Sequence, residues 1–341
     1  MAACKAGDIP AGSVGAGMIT LDNVHYKYQE TNEQEQLRHV NLHIGKGEFI
    51  LIAGKSGCGK TTLSKCINGL IPYFHEGELI GNVFVAGQDN SCLALHEIGQ
   101  RVGSVFQDPR SQFFTTNTTD EVAFGCQNMG LPRETIIARL EEAFHSFGLE
   151  GLRERSIFEL SSGEKQKIAI ASCRAMRPQV YLLDEPSSNL NIAATMSLTE
   201  LLKRLKKSGA TIVVIEHRLY YLKNLADRLV YMENGQIQRI YSRKEMLELS
   251  GTELAQMGLR YLNLEAVPCP DREVRENQKV TLFADTLAFH YPKKRKGQAH
   301  HDILTEVSFS ACGGEIIGIT GKNGAGKTTL AKVLVGLLGP T

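Results

Sequence analysis

Two nine-residue segments carry the residues best suited to chemistry. Gly54-Lys55-Ser56-Gly57-Cys58-Gly59-Lys60-Thr61-Thr62 returns near the end of the chain as Gly321-Lys322-Asn323-Gly324-Ala325-Gly326-Lys327-Thr328-Thr329. Both satisfy G-x-x-x-x-G-K-[ST], a pattern whose glycines let successive backbone N–H groups turn inward on phosphates. A helix N-terminus following the loop adds partial positive charge. Lys60 and Lys327 are then placed to reach the terminal phosphates of a nucleotide, and the hydroxyls of Thr61 and Thr328 to meet Mg²⁺.

A second group lies between the two loops. Val180-Tyr181-Leu182-Leu183 is an apolar run ending in Asp184-Glu185-Pro186. A strand buried on both faces would deliver Asp184 to a magnesium shell at its carboxyl end and set Glu185 to polarise a water aimed at the γ-phosphate. Upstream, Leu160-Ser161-Ser162-Gly163-Glu164 opens a helical pattern. Ser161 is a good N-cap, Glu164 completes a capping box, and the exposed N–H groups of that helix start suit an anion.

These groups need elements to hold them. Each phosphate loop follows an apolar β-branched run, Phe49–Ile52 and Ile316–Ile319, and precedes a helical pattern, which gives strand, loop, helix twice. The repeat extends further: Tyr26-Lys27-Tyr28, Leu37–Leu42 and Gly47-Glu48 correspond to Phe289-His290-Tyr291, Leu304–Phe309 and Gly314-Glu315. The spacing of the two lysines far exceeds the roughly 20–50-residue period of solenoid repeats, so the duplicated unit is a whole domain. The expected organisation is a disordered tail over 1–17, a complete nucleotide-binding domain over 18–250, a linker over 251–279 and the N-terminal portion of a second domain over 280–341. Residues 133–147 read as an amphipathic helix, with Ile136, Ile137, Leu140, Ala143, Phe144 and Phe147 on one face.

Composition is that of a globular chain: 341 residues, 42% hydrophobic, 22% charged, formal net charge +1, with no pull toward nucleic acid. The eight cysteines form no C-x-x-C pair and read as reduced thiols of a cytosolic protein. No segment approaches the roughly 18 apolar residues of a membrane span.

At this point the residues resemble the ATP-binding-cassette family. Leu160–Glu164 (LSSGE) stands where that family has its LSGGQ signature, and the other family motifs appear in order. Tyr28 resembles the aromatic that stacks on adenine, with Tyr291 its counterpart in the second copy. Gln107 resembles the Q-loop glutamine, grouped with Thr61 and Asp184 toward Mg²⁺, and Ser188-Asn189-Leu190-Asn191 resembles the D-loop. His217, in Ile215-Glu216-His217-Arg218, resembles the switch histidine. The resemblance implies an α/β fold of the P-loop NTPase type, with a RecA-like core sheet, an antiparallel β-subdomain and a helical subdomain. It further implies an ATPase with ATP and Mg²⁺ as cofactors, in which Lys60, Glu185 and His217 are catalytic and nucleotide is sandwiched between the phosphate loop of one cassette and the signature of its partner. Two positions depart from the pattern: Asn191 replaces the usual D-loop Asp, and Ser162 the first signature glycine.

Pro109–Phe114, Asp120–Gly125 and Ile71–His75 are similar to the energy-coupling factor importers. That resemblance implies a peripheral subunit on the cytoplasmic face of the membrane. It would drive uptake of a vitamin or metal ion through an integral membrane transport subunit and a substrate-binding membrane protein, with a second ATP-binding domain in cis or trans. In the family the helical subdomain carries a groove for a helix of the membrane subunit. After Thr341 there is no room for the second copy's Q-loop, signature or Asp-Glu strand, so that copy is expected to be only begun and loosely folded. A soluble tandem-cassette ATPase acting on ribosomes or DNA is the alternative. About 100 residues without sustained heptads separate Lys60 from Ser161, and the stretch before Lys279 is short and only modestly charged, both of which disfavour it.

Overall fold

A strand with no polar side has to be covered on both faces, and Phe49–Ala53, Val180–Leu183 and Ile212–Ile215 have none. In the computed structural model, which describes residues 17–29, 35–267, 279–291, 302–321 and 324–340, all three are central strands of one sheet. The strands are β1 (Gly17–Tyr28), β2 (Leu37–Gly45), β3 (Phe49–Gly54), β4 (Gly77–Val85), β5 (Gln88–Asp89), β6 (Val102–Val105), β7 (Val180–Asp184), β8 (Thr211–Ile215), β9 (Arg228–Glu233), β10 (Gln236–Ser242), β11 (Val280–His290) and β12 (Asp302–Cys312). The helices are α1 (Lys60–Ile67), α2 (Leu70–Tyr73), α3 (Leu95–Arg101), α4 (Thr118–Asn128), α5 (Arg133–Phe147), α6 (Ser162–Met176), α7 (Ile192–Lys207), α8 (Arg243–Glu248), α9 (Gly251–Gln256) and α10 (Lys327–Leu334).

The six-stranded sheet runs β10-β9-β3-β8-β7-β6, parallel except for β10 at one edge. Period-two alternation divides its side chains between two cores. Ile50, Ile52, Leu182, Val213 and Ile215 pack with Leu63, Cys66 and Ile67 of α1 and with the four-stranded antiparallel sheet β2-β1-β4-β5. Phe49, Leu51, Tyr181, Leu183, Ile212 and Val214 pack on the other face with α6 and α7. A third core joins α4, α5 and α6 through Val122, Leu140, Ala143, Phe144 and Ile168, and α5 matches the expected amphipathic stretch. Ile137 is the exception on its face, at 49% exposure.

The first unit ends at Val267, beyond the expected boundary at 250. Leu254, Leu259 and Leu262 are buried in the core around α7, and the Tyr231 hydroxyl donates to the Met257 carbonyl at 3.2 Å. Residues 251–262 are therefore part of the first domain and not linker. The remainder of the expected linker, 268–278, and the expected tail over 1–16 lie outside the described residues.

The second unit repeats the first locally. β11 and β12 pair Phe289 with Leu304, Leu287 with Val307 and Ala284 with Phe309, the counterparts of Tyr26 with Leu37, Val24 with Val40 and Leu21 with Leu42. One expectation fails: Ile316–Ile319 is not a strand, and Ile316 is 86% exposed. An apolar run becomes a central strand only between neighbouring strands. The described strands of this unit, β11 and β12, pair with each other.

Candidate nucleotide site

β3 ends at Gly54 and α1 begins at Lys60, leaving Lys55 to Gly59 as the phosphate loop. Gly59 has φ of +100°, a left-handed conformation, and a Cβ there would fall 2.7 Å from the Gln36 carbonyl oxygen. Glycine is the residue that meets both demands. Lys60 is buried, and its ammonium donates to the carbonyls of Gly54 at 2.9 Å and Lys55 at 2.8 Å. Ser56 and Gly57 form the turn above Cys58, whose N–H donates to the Lys55 carbonyl. The second loop shares part of this design: Lys327 Nζ donates to the Gly321 carbonyl at 2.8 Å, and Gly326 has φ of +82°. Gly324, Ala325, Thr328 and Thr329 are described with it, while Lys322 and Asn323 lie outside the described residues.

Tyr28 stands at the mouth of the first loop. Its hydroxyl is 3.5 Å from Thr62 Oγ1, and its ring meets Tyr26 edge-on with centroids 4.7 Å apart. Tyr291 has the same relation to Phe289, at 5.0 Å.

The acidic end of β7 enters the site from the neighbouring part of the sheet. Burial pushes the Asp184 carboxyl up to about 6, with the Glu185 charge adding to the effect and a hydrogen bond from Thr61 and the Lys60 charge opposing it. Asp184 Oδ1 is buried without a hydrogen-bond partner. An orphaned carboxylate oxygen, with the Thr61 hydroxyl on the same carboxylate, is a donor set that suits a hard cation such as Mg²⁺. Glu185 adopts φ of +43°. Its Oε1 lies 3.1 Å from His217 Nε2, and its Oε2 accepts from Gln107 Nε2 at 3.1 Å. Gln107 thus meets Glu185, the residue next to Asp184 in the chain.

The capping box forms as the spacing predicts. Ser161 N–H and Oγ both donate to Glu164 Oε2, at 2.8 and 2.7 Å, and Glu164 N–H returns to Ser161 Oγ at 3.3 Å. Burial raises the Glu164 carboxyl, but the Ser161 bonds and Arg155 at 3.2 Å outweigh it and hold the group below its ordinary range. These hydrogen bonds stay within the helix start and Arg155; none goes to the loop at Gly54–Thr62. Gly163 lies against the start of α7, where a Cβ would fall 2.9 Å from Ala194 Cβ, and Ser162 beside it is half-buried. Asn191 keeps a structural duty as the N-cap of α7, accepting from Ala194 N–H at 2.9 Å.

Two residues were not singled out from the sequence. Glu216, 2% exposed, accepts four hydrogen bonds from around the switch position. Arg218 reaches back to the carbonyls of Ser187 and Leu190, at 3.2 and 3.1 Å. The available signal was a charged residue directly following a fully apolar strand.

The family profile described as ABC transporter matches residues 37–188 and again 304–341, and the chain belongs to that family. Two proteins of Treponema denticola, each named "Putative ABC transporter ATP-binding protein", are 46% and 42% identical over 94% of this chain. The chain spans 65% and 64% of their lengths. Among solved structures, CbiO1 from Clostridium perfringens, described as part of the ABC transporter complex CbiONQ, is similar with a TM-score of 0.62 and 27% identity, over 71% of this chain and 94% of CbiO1. A dimer of the ATP-binding cassette MJ0796 in a post-hydrolysis state with ADP and Pi gives a TM-score of 0.58 at 26% identity, over 66% of this chain and 99% of the other. The fold is that of an ABC-type P-loop ATPase.

Proposed function

We propose that this chain is the ATP-binding and hydrolysing part of an importer of the energy-coupling factor type, working on the cytoplasmic face of a membrane. The observation that carries the hydrolytic reading is the placement of Glu185 between His217 Nε2 and Gln107 Nε2, next to Asp184, whose carboxyl meets Thr61 of the phosphate loop and feels the Lys60 charge. Glu185 accepts the proton of, or orients, a water directed at the γ-phosphate, and His217 holds that carboxylate and the departing phosphate in line. Lys60 exchanges its loop carbonyls for phosphate oxygens and neutralises their charge. Thr61 and Asp184 would hold Mg²⁺, which supplies charge neutralisation across the phosphates when bound. Tyr28 offers a ring to the base.

The signature at Ser161–Glu164 makes no hydrogen bond to its own chain's phosphate loop, which supports a role in trans or against a second cassette. ATP then acts as an interfacial ligand favouring the closed pair, and loss of the γ-phosphate releases it. The second loop at Gly321–Thr329 is in this reading the start of such a cassette.

The membrane partner fits an apolar groove of about 350 Å³ lined by Leu70, Leu95, His96, Phe106, Met129 and Met176. It sits between α3, β6 and the helical subdomain, and Phe106, which precedes Gln107 in the chain, lines it. The likeness to CbiO1 supports the importer, and among the described residues no helix is long and apolar enough to cross a membrane. The test is co-purification of the full chain from cells. Recovery with an integral membrane protein, lost in Leu95→Glu and Met129→Glu variants that still bind ATP, upholds the reading. Recovery in the ribosomal pellet or on DNA replaces it with the soluble tandem-cassette alternative.

A further inference from the structure

His217 meets Glu185 through its imidazole at 3.1 Å, and the short segment after β8 that carries it is also held through its backbone. Its anchor is the preceding residue. Glu216 Oε1 accepts the N–H groups of His217 at 2.8 Å and Arg218 at 3.0 Å, while Oε2 accepts the Ser187 N–H at 3.3 Å and the Tyr221 hydroxyl at 2.6 Å. Four donors converge on two oxygens in a place where Glu216 is 2% and Tyr221 5% exposed. A carboxylate serves here as an acceptor only, taking up backbone donors that burial would otherwise leave unpaired.

The partners belong to two different functional segments. His217 and Arg218 form the switch segment; Ser187 follows Glu185-Pro186 and opens the Ser188–Asn191 turn, which leads into α7. Arg218 doubles the link by donating to the Ser187 and Leu190 carbonyls. The Tyr221 hydroxyl keeps its proton, because burial, with the Glu216 charge added, raises it well above its ordinary range, so it remains a donor to Glu216.

We propose that Glu216 is a positioning residue for ATP hydrolysis, joining the switch segment at His217 to the turn at Ser187–Asn191 so that the two move as one piece. Displacement of the turn, for instance by a second cassette docking on it, is then carried through one carboxylate to the imidazole that meets Glu185. The inference rests on the hydrolytic reading of this site and goes beyond it by assigning a residue whose hydrogen bonds go to three backbone N–H groups and the Tyr221 hydroxyl.

The experiment is a double-substitution cycle in the full chain, with steady-state ATPase and equilibrium ATP binding measured for each variant. Parent activity that disappears in Glu185→Gln establishes the hydrolytic reading independently. Glu216→Gln keeps shape but turns one acceptor into a donor facing the Ser187 N–H. It is expected to lower kcat at least tenfold while leaving KM and ATP affinity within about twofold, since the Lys60 loop is untouched. Placed on a His217→Ala background, the same substitution should cost no further activity, because Glu216 acts through His217. Tyr221→Phe removes a single donor without placing a new group in the site. It should give a smaller loss that also vanishes on the His217→Ala background, and it serves if Glu216→Gln does not fold. Losses that multiply with that of His217→Ala, or a loss of ATP affinity parallel to that of kcat, would overturn the proposal.

Discussion

Asp184 of β7 is paired in register with Ile215 of β8, and the next residue, Glu185, donates its N–H to the Ile215 carbonyl at 2.8 Å. That register brings Glu185 level with the start of the switch segment, and the Glu216 hydrogen bonds to the His217 and Arg218 N–H groups hold the segment where His217 meets Glu185. Hydrolysis should therefore be sensitive to the chemistry of Glu185 more than to its bulk. Glu185→Gln is expected to retain MgATP and lose hydrolysis by two or more orders of magnitude, while Lys60→Ala loses most nucleotide binding. A near-parent rate for Glu185→Gln, with contaminating ATPases excluded, means that another group activates the water.

In the proposed site Tyr28 meets the nucleotide through its ring. Base stacking is worth about 1–3 kcal/mol in single-strand complexes, and a solvent-open adenine belongs at the low end. Tyr28→Ala should weaken ATP severalfold in fluorescence or calorimetric titration, and Tyr28→Phe should leave it unchanged. Equal affinities in all three proteins would remove Tyr28 from the site.

Asp184 gives a pH signature in nucleotide-free, chelated protein. Its folded pKa is raised to about 6 from an ordinary value of 3.8. The folded state therefore holds the proton more tightly, and stability falls as pH rises from near 4 to near 6. Asp184→Asn should raise the thermal midpoint relative to the parent above pH 6, the advantage shrinking toward pH 4, while magnesium-dependent hydrolysis is lost. A midpoint difference that does not vary with pH would show that Asp184 ionises normally.

Gly163→Ala pushes a methyl against Ala194 and must part α6 from α7. Overpacking of this kind costs about 1–3 kcal/mol, readable as a lowered denaturant midpoint. An unchanged midpoint would mean that the two helix starts separate freely.

The second loop is held differently from the first. With Ile316 exposed and no strand beneath the loop, Lys327→Ala should leave the ATP affinity of this chain within about twofold of the parent. A loss comparable with Lys60→Ala would make Lys327 the principal phosphate contact.

The legible parts of this molecule were those written in local spacing. The Gly54–Thr62 loop, the Ser161–Glu164 box and the Val180–Asp184 strand each depend on residues a few positions apart, and each formed as expected. Glu216 was not legible because Ser187 lies far from it in the chain, and only the pairing of β7 with β8 brings them together. Ile316–Ile319 was misread for the converse reason: its composition suits a strand, but a strand also requires neighbours. Residues 251–262 do not read as part of the domain because α9 stops at Gln256 and Gly258 soon follows, so Leu254, Leu259 and Leu262 show no long helical period.

The packing of that stretch has a practical consequence. Gly258 lies against the first phosphate loop, where a Cβ would fall 2.7 Å from Lys55 Cγ, and Leu254, Leu259 and Leu262 fill the adjoining core. A protein ended at Ser250 would keep the first phosphate loop, Glu185 and His217 and yet open a greasy cleft beside Tyr231, whose hydroxyl donates to the Met257 carbonyl. Such a shortened form should precipitate on expression, whereas one ended after Val267 should stay in solution.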